Sequence, residues 1–96
     1  MPAVALSSHA LSDLERLRGF LRDADPSSVD STVKLILDAL GVLEHHPLIG
    51  RPAESGLREM VISRGKTGYI GLYRYDDARD RVLVLSIRHQ REAGYI

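Results

Sequence analysis

The 96-residue sequence contains no cysteine, which excludes disulfide bonds, thiolate metal sites and cysteine nucleophiles. Its four histidines, His9, His45, His46 and His89, have neither the HExxH nor the HxH spacing of zinc sites, so we expect no metal and no cofactor. Internal repeats and low-complexity segments are absent as well. The length is that of one domain, which we assign to residues 1–96.

Long apolar segments are also missing from this chain. No apolar run approaches the roughly 20 residues that span a bilayer. The N-terminal segment, MPAVALSSHAL, has neither the basic region nor the long apolar stretch of a secretory signal. We therefore expect a cytoplasmic protein that makes no contact with a membrane.

A net charge is missing too, but the charges are distributed unevenly along the chain. Residues 1–50 contain four Lys or Arg and seven Asp or Glu, a net charge of −3, and residues 51–96 contain nine and six, a net charge of +3. Eight of these nine cations are arginine, which suits bidentate contacts with carboxylate or phosphate. The C-terminal half therefore indicates an acidic peptide or a nucleic acid as partner, although overall neutrality disfavours a strong free-standing nucleic-acid binder.

Three segments of the C-terminal half have the composition of strands. They are LREMVIS (57–63), YIGLYRY (69–75) and VLVLSIR (82–88). Turn-forming residues separate them at 64–68 and at 76–80. Because a parallel crossover needs about a dozen residues or more, these short intervals predict an antiparallel three-stranded meander.

Neither face of this meander has the polar character of a solvated surface. In the third segment, Leu83, Leu85 and Ile87 fall on the face opposite to Val82 and Val84. An antiparallel sheet with one solvated face shows apolar and polar residues in alternation, so both faces here are predicted to make contacts. We expect helices on one face and a partner on the other; helices on both faces are the alternative.

The N-terminal part predicts a strand followed by a helix. Ala3–Leu6 is short and apolar and is typical of an edge strand. Ser7 or Ser8 is the predicted N-cap of an amphipathic helix that ends near Ala24. Its apolar residues recur at three- and four-residue spacing, at Leu11, Leu14, Leu17 and Leu21.

A second apolar stripe, over residues 29–43, predicts a second helix. Asp25 or Ser27 is the predicted N-cap, with Pro26 in the first turn, and Pro47 ends the helix. Only a few residues separate the two helices, so they are expected to form an antiparallel hairpin across one face of the sheet. The predicted order, β-α-α-β-β-β, is that of an α+β fold with a mainly antiparallel sheet.

The connection from this helix to the meander begins with two histidines. His45 and His46 fall in the last helical turn, where a cation is favoured by the exposed carbonyls. Metal binding or catalysis is the alternative role. Residues 47–56, PLIGRPAESG, contain two prolines and two glycines and are predicted to form a fixed loop.

Three segments of this chain, in this order, resemble the RelE/ParE toxins of bacterial type II toxin–antitoxin systems. They are HPLIGRPAESGLREMVI, YIGLYRY and VLVLSIRHQREAGY. The resemblance covers nearly the whole chain. It implies a growth-inhibiting toxin, of systems also known for plasmid stabilization, whose second apolar face and arginines are covered by a cognate antitoxin. Operator DNA would be bound only indirectly, through the antitoxin.

RelE-type members of this family cleave messenger RNA on the ribosome without a metal. This chemistry needs a base, cations for the developing negative charge and an acid, supplied by residues of the sheet and the tail. In our alignment, Arg58 corresponds to one of the cations and Tyr95 to the catalytic tyrosine. His89 replaces an arginine of the nucleases. Met60 and Ile70 replace two further cations.

ParE-type members share the fold, lack the nuclease residues and poison DNA gyrase. The missing cations favour this branch, and we expect a toxin that acts by binding gyrase rather than an enzyme. The residues expected to contact the target or the antitoxin are Arg58, Arg74, Arg88, His89, Arg91 and Tyr95. The alternative is an endoribonuclease that uses Arg58, His89 and Tyr95, although each of these residues also has a purely structural interpretation.

Overall fold

A computed structural model describes residues 1–64, 67–92 and 94–95 of the chain. Three 3₁₀ turns, Pro26–Ser28, Val42–Glu44 and Glu54–Gly56, accompany the longer elements. The helices and strands are β1 (Ala3–Leu6), α1 (Ser8–Ala24), α2 (Val29–Gly41), β2 (Arg51–Pro52), β3 (Arg58–Arg64), β4 (Thr67–Asp76) and β5 (Arg81–His89). The predicted α+β fold is confirmed. In the part of the chain described, no helix is both long and apolar enough to cross a membrane.

The five strands form one sheet in the order β1-β5-β4-β3-β2. The predicted meander is confirmed, and the predicted first strand lies at the edge, parallel to β5. In the predicted turn at 64–68, Gly65 and Lys66 lie outside the described residues, and Arg64 pairs with Thr67. The loop predicted at 47–56 contains β2, which pairs with β3. A two-residue strand that ends in proline has no alternation to reveal it.

Helix α1 begins and ends as its sequence predicts. The Oγ atom of Ser7 accepts a hydrogen bond from the backbone N–H of Ala10 at 3.1 Å, so Ser7 rather than Ser8 is the N-cap. At the other end, the N–H of Asp25 donates to the carbonyl of Leu21 at 2.8 Å and closes the last turn. The helix turns its apolar side, including Leu14 and Leu17, toward the sheet.

The predicted cap of α2 is wrong. A 3₁₀ turn, Pro26–Ser28, lies between Asp25 and the helix, and the Asp25 carboxylate accepts from Ser27 Oγ at 2.9 Å instead of from a helical N–H. The helix also ends earlier than predicted, at Gly41, because the chain tightens into a second 3₁₀ turn. This turn carries Leu43 into the core.

The hydrophobic core lies between the two helices and one face of the sheet, which we call the helical face. Tyr73, Val84 and Ile87 of this face are completely buried. The prediction that the helices cover one face is confirmed. The core residues are Ala10, Leu14, Leu17, Ile36, Leu40, Leu43, Ile62, Tyr69, Tyr73, Val82, Val84 and Ile87.

Strand β5 contains a β-bulge that changes which residues enter the core. Its pairing with β4 shifts by one position, with Leu85 as the extra residue, so Ile87 lies on the helical face with Val84. The predicted placement of Ile87 on the opposite face is therefore wrong. Asp13 of α1 accepts hydrogen bonds at the bulge from Ile87 N–H (2.8 Å) and Ser86 Oγ (2.7 Å). The helix thus supplies the acceptor that the irregular strand requires.

Candidate target-binding site

The face of the sheet turned away from the helices, the open face, carries both cations and apolar side chains. Strand pairing places Arg88 beside Ile70 and Arg74 beside Leu83 on this face. Val61 on the neighbouring strand is 42% exposed. The open face therefore offers apolar contacts flanked by arginines, a combination that suits an acidic and apolar partner.

Four side chains form a cluster on the open face, the Tyr95 cluster, made of Arg51, Glu59, Arg88 and Tyr95. The Tyr95 hydroxyl donates to Glu59 Oε2 at 2.6 Å, and Arg51 Nε donates to Glu59 Oε1 at 3.0 Å. The Arg88 guanidinium lies over the Tyr95 ring, 5.1 Å from its centroid, a cation–π geometry. A cleft of about 450 Å³ opens beside the cluster.

The Tyr95 cluster keeps its carboxyl group charged and its phenol neutral. The hydrogen bond from Tyr95 is the largest influence on Glu59 and, with Arg51, lowers the pKa of its carboxyl group against the opposing effect of burial. Burial and then the bond to Glu59 raise the pKa of Tyr95 above its usual value. At neutral pH, Tyr95 is therefore a hydrogen-bond donor and not a phenolate base.

A second polar network joins α1 to the end of the chain on the helical side. Arg16 Nη1 donates to Glu92 Oε2, and Arg16 Nη2 donates to Asp13 Oδ1 at 3.2 Å and to the Ile87 carbonyl at 3.3 Å. The other carboxylate oxygen of Glu92 accepts from the His89 N–H at 2.8 Å. The network therefore attaches the residues after β5 to the helix.

The charges of this network favour its ionised form. Burial by itself raises the pKa of Asp13, but hydrogen bonds from Ile87, Ser86 and Arg16 outweigh it, and the net pKa lies below the usual value. Burial likewise raises the pKa of Glu92, and its bond to Arg16 overcomes that effect and lowers the pKa. Both carboxylates are thus ionised at neutral pH.

Arg88 is occupied by the residues that follow it. Its Nη1 donates to the Glu92 carbonyl at 3.1 Å and, at 3.4 Å, to the carbonyls of His89 and Gln90. Its Nε is buried and has no hydrogen-bond partner among the described residues. Arg88 therefore holds the end of the chain against the open face, which leaves less of its guanidinium for a partner.

Arg58 lies on the helical side of β3, where it holds a loop. Its Nη1 donates to the carbonyls of Gly50 (2.8 Å) and Leu48 (3.2 Å). The buried Tyr73 hydroxyl fixes the same loop, accepting from Gly50 N–H at 2.9 Å and donating to the Pro47 carbonyl at 2.8 Å. Arg58 thus has a structural role that the sequence interpretation allowed.

His89 is the last residue of β5 and lies on the helical face of the sheet, beside Tyr69. Its ring contacts Tyr69 edge to face, with centroids 5.2 Å apart. Its Nδ1 accepts a hydrogen bond from the Arg91 N–H at 3.0 Å, so this nitrogen is not available as a base. The ring also lines an apolar cavity of about 450 Å³ with Leu17 and Phe20 of α1.

The arginines at the two remaining predicted positions are exposed. Arg74 lies on the open face beside Arg81 and Leu83. Arg91 follows β5 and lines the same cavity as His89. Within residues 1–64, 67–92 and 94–95, neither guanidinium has a hydrogen bond or an ion pair. Both are therefore available to a partner.

The structure brings Arg88 and Tyr95 together but separates the three nuclease candidates. Arg58 lies on β3 and His89 on β5, the two strands that flank β4. Their partners on β4, Tyr73 and Tyr69, are four residues apart. Standard strand spacings put the Arg58 and His89 backbones about 17 Å apart. Tyr95 lies on the other face of the sheet, against Glu59.

Sequence reasoning missed five residues of these networks: Arg16, Asp13, Glu92, Arg51 and Glu59. Asp13 had a detectable signal, because it lies four positions before Leu17 and therefore falls on the buried side of α1. The partners of the others are set by tertiary contacts, and no local pattern indicates them. In the described part of the chain, no three His, Asp or Glu side chains are arranged to hold a metal ion.

Comparison with known proteins identifies relatives along almost the whole chain. The sequence model of the family described as the ParE toxin of type II toxin-antitoxin system, parDE, matches residues 4–94. Toxin RelE3 of Caulobacter vibrioides is 38% identical over 93 residues, which are 96% of this chain and 98% of that toxin.

Solved structures share the fold. A chain of the toxin–antitoxin complex RelBE2 from Mycobacterium tuberculosis is 29% identical, with a TM-score of 0.62 over 94% of this chain and 100% of its own. A chain of the chromosomal ParDE system from P. aeruginosa has a TM-score of 0.76 at 20% identity, covering 91% of this chain and 94% of its own. Because the family match covers residues 4–94 of the 96, this protein belongs to the ParE toxin family of type II toxin–antitoxin systems.

Proposed function

We propose that this chain is a toxin that acts by binding, that its target is DNA gyrase, and that a cognate antitoxin neutralises it in the cytoplasm. The separation of Arg58, His89 and Tyr95 carries this proposal. Metal-free RNA cleavage needs its base, acid and cations around one phosphate. Here Arg58 holds a loop, His89 Nδ1 accepts from a backbone N–H, and Tyr95 lies on the other face.

The open face provides a surface for the antitoxin. Exposed Arg74 and Arg81 flank the apolar side chains of Leu72 and Leu83, so an extended segment with acidic and apolar residues would find both kinds of contact there. The complexes formed by the ParDE and RelBE2 relatives support a protein partner of this class. Operator DNA would be contacted through the antitoxin.

The surface proposed to engage gyrase includes two free arginines, which lie on different sides of the sheet. Arg91 follows β5 and Arg74 lies on the open face, and neither guanidinium is used within the described chain. The other candidate residues would act by shaping this surface, since each already makes at least one hydrogen bond within the protein. They are Arg88, His89, Arg58 and Tyr95.

The deciding experiment is supercoiling of relaxed plasmid by purified gyrase and ATP, with and without this protein. We expect inhibition with trapped cleaved DNA, relieved by excess antitoxin. Arg91→Ala should weaken the inhibition, whereas Arg22→Ala, which removes an exposed cation of α1, is the matched control. A folded, growth-inhibiting protein without effect on gyrase would overturn the target. Unchanged growth on expression without antitoxin would overturn the toxin function.

A second candidate function, ribosome-dependent cleavage of messenger RNA without a metal, is favoured by one observation. The Tyr95 cluster brings a carboxylate, two guanidinium groups and a phenol together at one place. In that case Glu59→Gln should reduce cleavage by roughly 100-fold or more, which is typical for loss of a general base. His89→Ala tests the sequence-based alternative, in which Arg58, His89 and Tyr95 are catalytic.

A further inference from the structure

The C-terminal tail, residues 90–92, 94 and 95, is attached to both faces of the sheet. On the helical side, Glu92 bonds to Arg16 of α1 and to the backbone of His89. On the open face, the Tyr95 hydroxyl bonds to Glu59. The described residues of the tail therefore contact both sides of the sheet, in each case through a carboxylate.

We infer that Arg16 is a positioning residue for this tail. Among the described residues, its guanidinium is the only cation bonded to the Glu92 carboxylate, and it contacts Asp13 and the Ile87 carbonyl as well. By fixing Glu92, Arg16 sets the course of the tail and so the placement of Arg91 and Tyr95. The inference deepens the proposed function, because the tail is part of the surface proposed to engage the target.

Burial distinguishes this contact from the ion pairs of the surface. The side chains of Arg16 and Glu92 are 22% and 16% exposed, and that of Asp13 is 4% exposed. The pair Lys34–Asp38 on α2, by contrast, is 75% and 65% exposed. Ion pairs as exposed as Lys34–Asp38 contribute little to stability. In a partly buried pair, removal of one partner leaves the other charge poorly solvated, and this is costly.

Removing Arg16 changes the balance of charge at the tail. Asp13 stays fixed by its bonds to Ser86 and Ile87, so Glu92 would face a carboxylate without the cation that now lies between them. Repulsion then favours movement of Glu92 toward water. The His89 N–H loses its acceptor when Glu92 moves.

The test compares Arg16→Met, which keeps the length of the side chain, with Lys34→Met as the matched control. Hydrogen bonds to charged groups are worth about 1.5–3 kcal/mol, so Arg16→Met should speed exchange of the His89 amide by roughly 10- to 100-fold. Tyr95 should also titrate at lower pH, because its contact with Glu59 weakens. Lys34→Met should change neither. Unchanged His89 exchange in folded Arg16→Met overturns the inference.

Glu92→Gln gives an independent test if Arg16→Met does not fold, since it leaves the contact between Asp13 and Arg16 intact. Because a neutral amide weakens the bond to Arg16, the tail should loosen and Tyr95 should titrate at lower pH, as in Arg16→Met. A wild-type titration of Tyr95 overturns the inference. Arg16→Lys, which keeps the charge, should restore part of the protection. If Arg16→Lys restores no protection of the His89 amide, the positive charge beside Glu92 is not what holds the tail.

Gyrase inhibition then relates the tail to function. Arg16→Met should require about tenfold more protein for the same inhibition, in line with the smaller population of the docked tail. A loosened tail with unchanged inhibition overturns the positioning role. A wild-type protein that does not inhibit gyrase overturns the proposed function instead, and the exchange and titration measurements, made on the protein alone, still decide the role of Arg16.

Discussion

Tyr73→Phe removes one oxygen atom from the most completely buried aromatic residue of the sheet. The Tyr73 hydroxyl accepts from Gly50 N–H at 2.9 Å and donates to the Pro47 carbonyl at 2.8 Å. Burial raises the pKa of this phenol, against the effects of the Gly50 hydrogen bond and the Arg58 charge, so it remains a donor at neutral pH. The substitution leaves the ring in the core and removes only the attachment of the loop.

The loss of stability follows from the two hydrogen bonds. A neutral hydrogen bond contributes about 1 kcal/mol net, and a buried donor left unsatisfied costs about 1–3 kcal/mol. Gly50 is buried, so its N–H has no ready access to water. Arg58 still holds the Gly50 carbonyl and limits rearrangement of the loop. We expect Tyr73→Phe to lower the free energy of unfolding by about 2–3 kcal/mol, and the Tm by roughly 10–20 °C.

Urea denaturation measures this change, with Tyr75→Phe as the matched control on the same strand. The Tyr75 hydroxyl contacts exposed Asp80 at 3.2 Å, so its removal should change the free energy of unfolding by less than about 0.5 kcal/mol. Faster amide exchange at Gly50 should accompany Tyr73→Phe alone. Equal stabilities of the two variants would refute the reasoning, because the buried hydroxyl would then not be holding the loop.

Two further predictions concern the carboxylates. Asp13→Asn should lower the free energy of unfolding by about 2–3 kcal/mol at pH 7, because the buried acceptor of the bulge loses its charge. Since the pKa of Asp13 is lowered in the folded state, its contribution to stability is present above pH 3.8 and is lost below it. Urea denaturation should therefore show a smaller difference in the free energy of unfolding between wild type and Asp13→Asn at pH 3 than at pH 7. An equal difference at both pH values would contradict this. Glu59→Gln should lower the pKa of Tyr95, because the charged acceptor of its hydroxyl is removed. NMR of labelled tyrosine rings measures this pKa, with Glu54→Gln as the control. An unchanged Tyr95 titration would contradict the contact.

Local patterns predicted the elements well because caps and alternation act between near neighbours. Ser7 caps α1, and the chain leaves the helix at Asp25, before Pro26, as their positions predict. The three strands of the meander lie where β-rich segments alternate with turn residues. The predicted cap of α2 was wrong for a local reason, because Pro26–Ser28 forms a 3₁₀ turn before the helix begins.

The bulge in β5 shows where local patterns end. One extra residue at Leu85 reverses the alternation and brings Ile87 into the core. The bulge is satisfied by Asp13, which lies 74 positions away from Ile87 in the sequence. No alternation rule includes a carboxylate from a distant helix, so sequence reasoning assigned Ile87 to the wrong face.

The sequence by itself determined the α+β fold, the family and the excess of arginine in the C-terminal half. Only the tertiary structure decided what each arginine does. Arg58 and Arg88 bond to backbone carbonyls, Arg16 holds the tail, and the Arg74 and Arg91 side chains extend freely from the described chain. The physical reason is that an arginine becomes structural or available according to the acceptors that folding brings within about 3 Å of it, and these come from other elements.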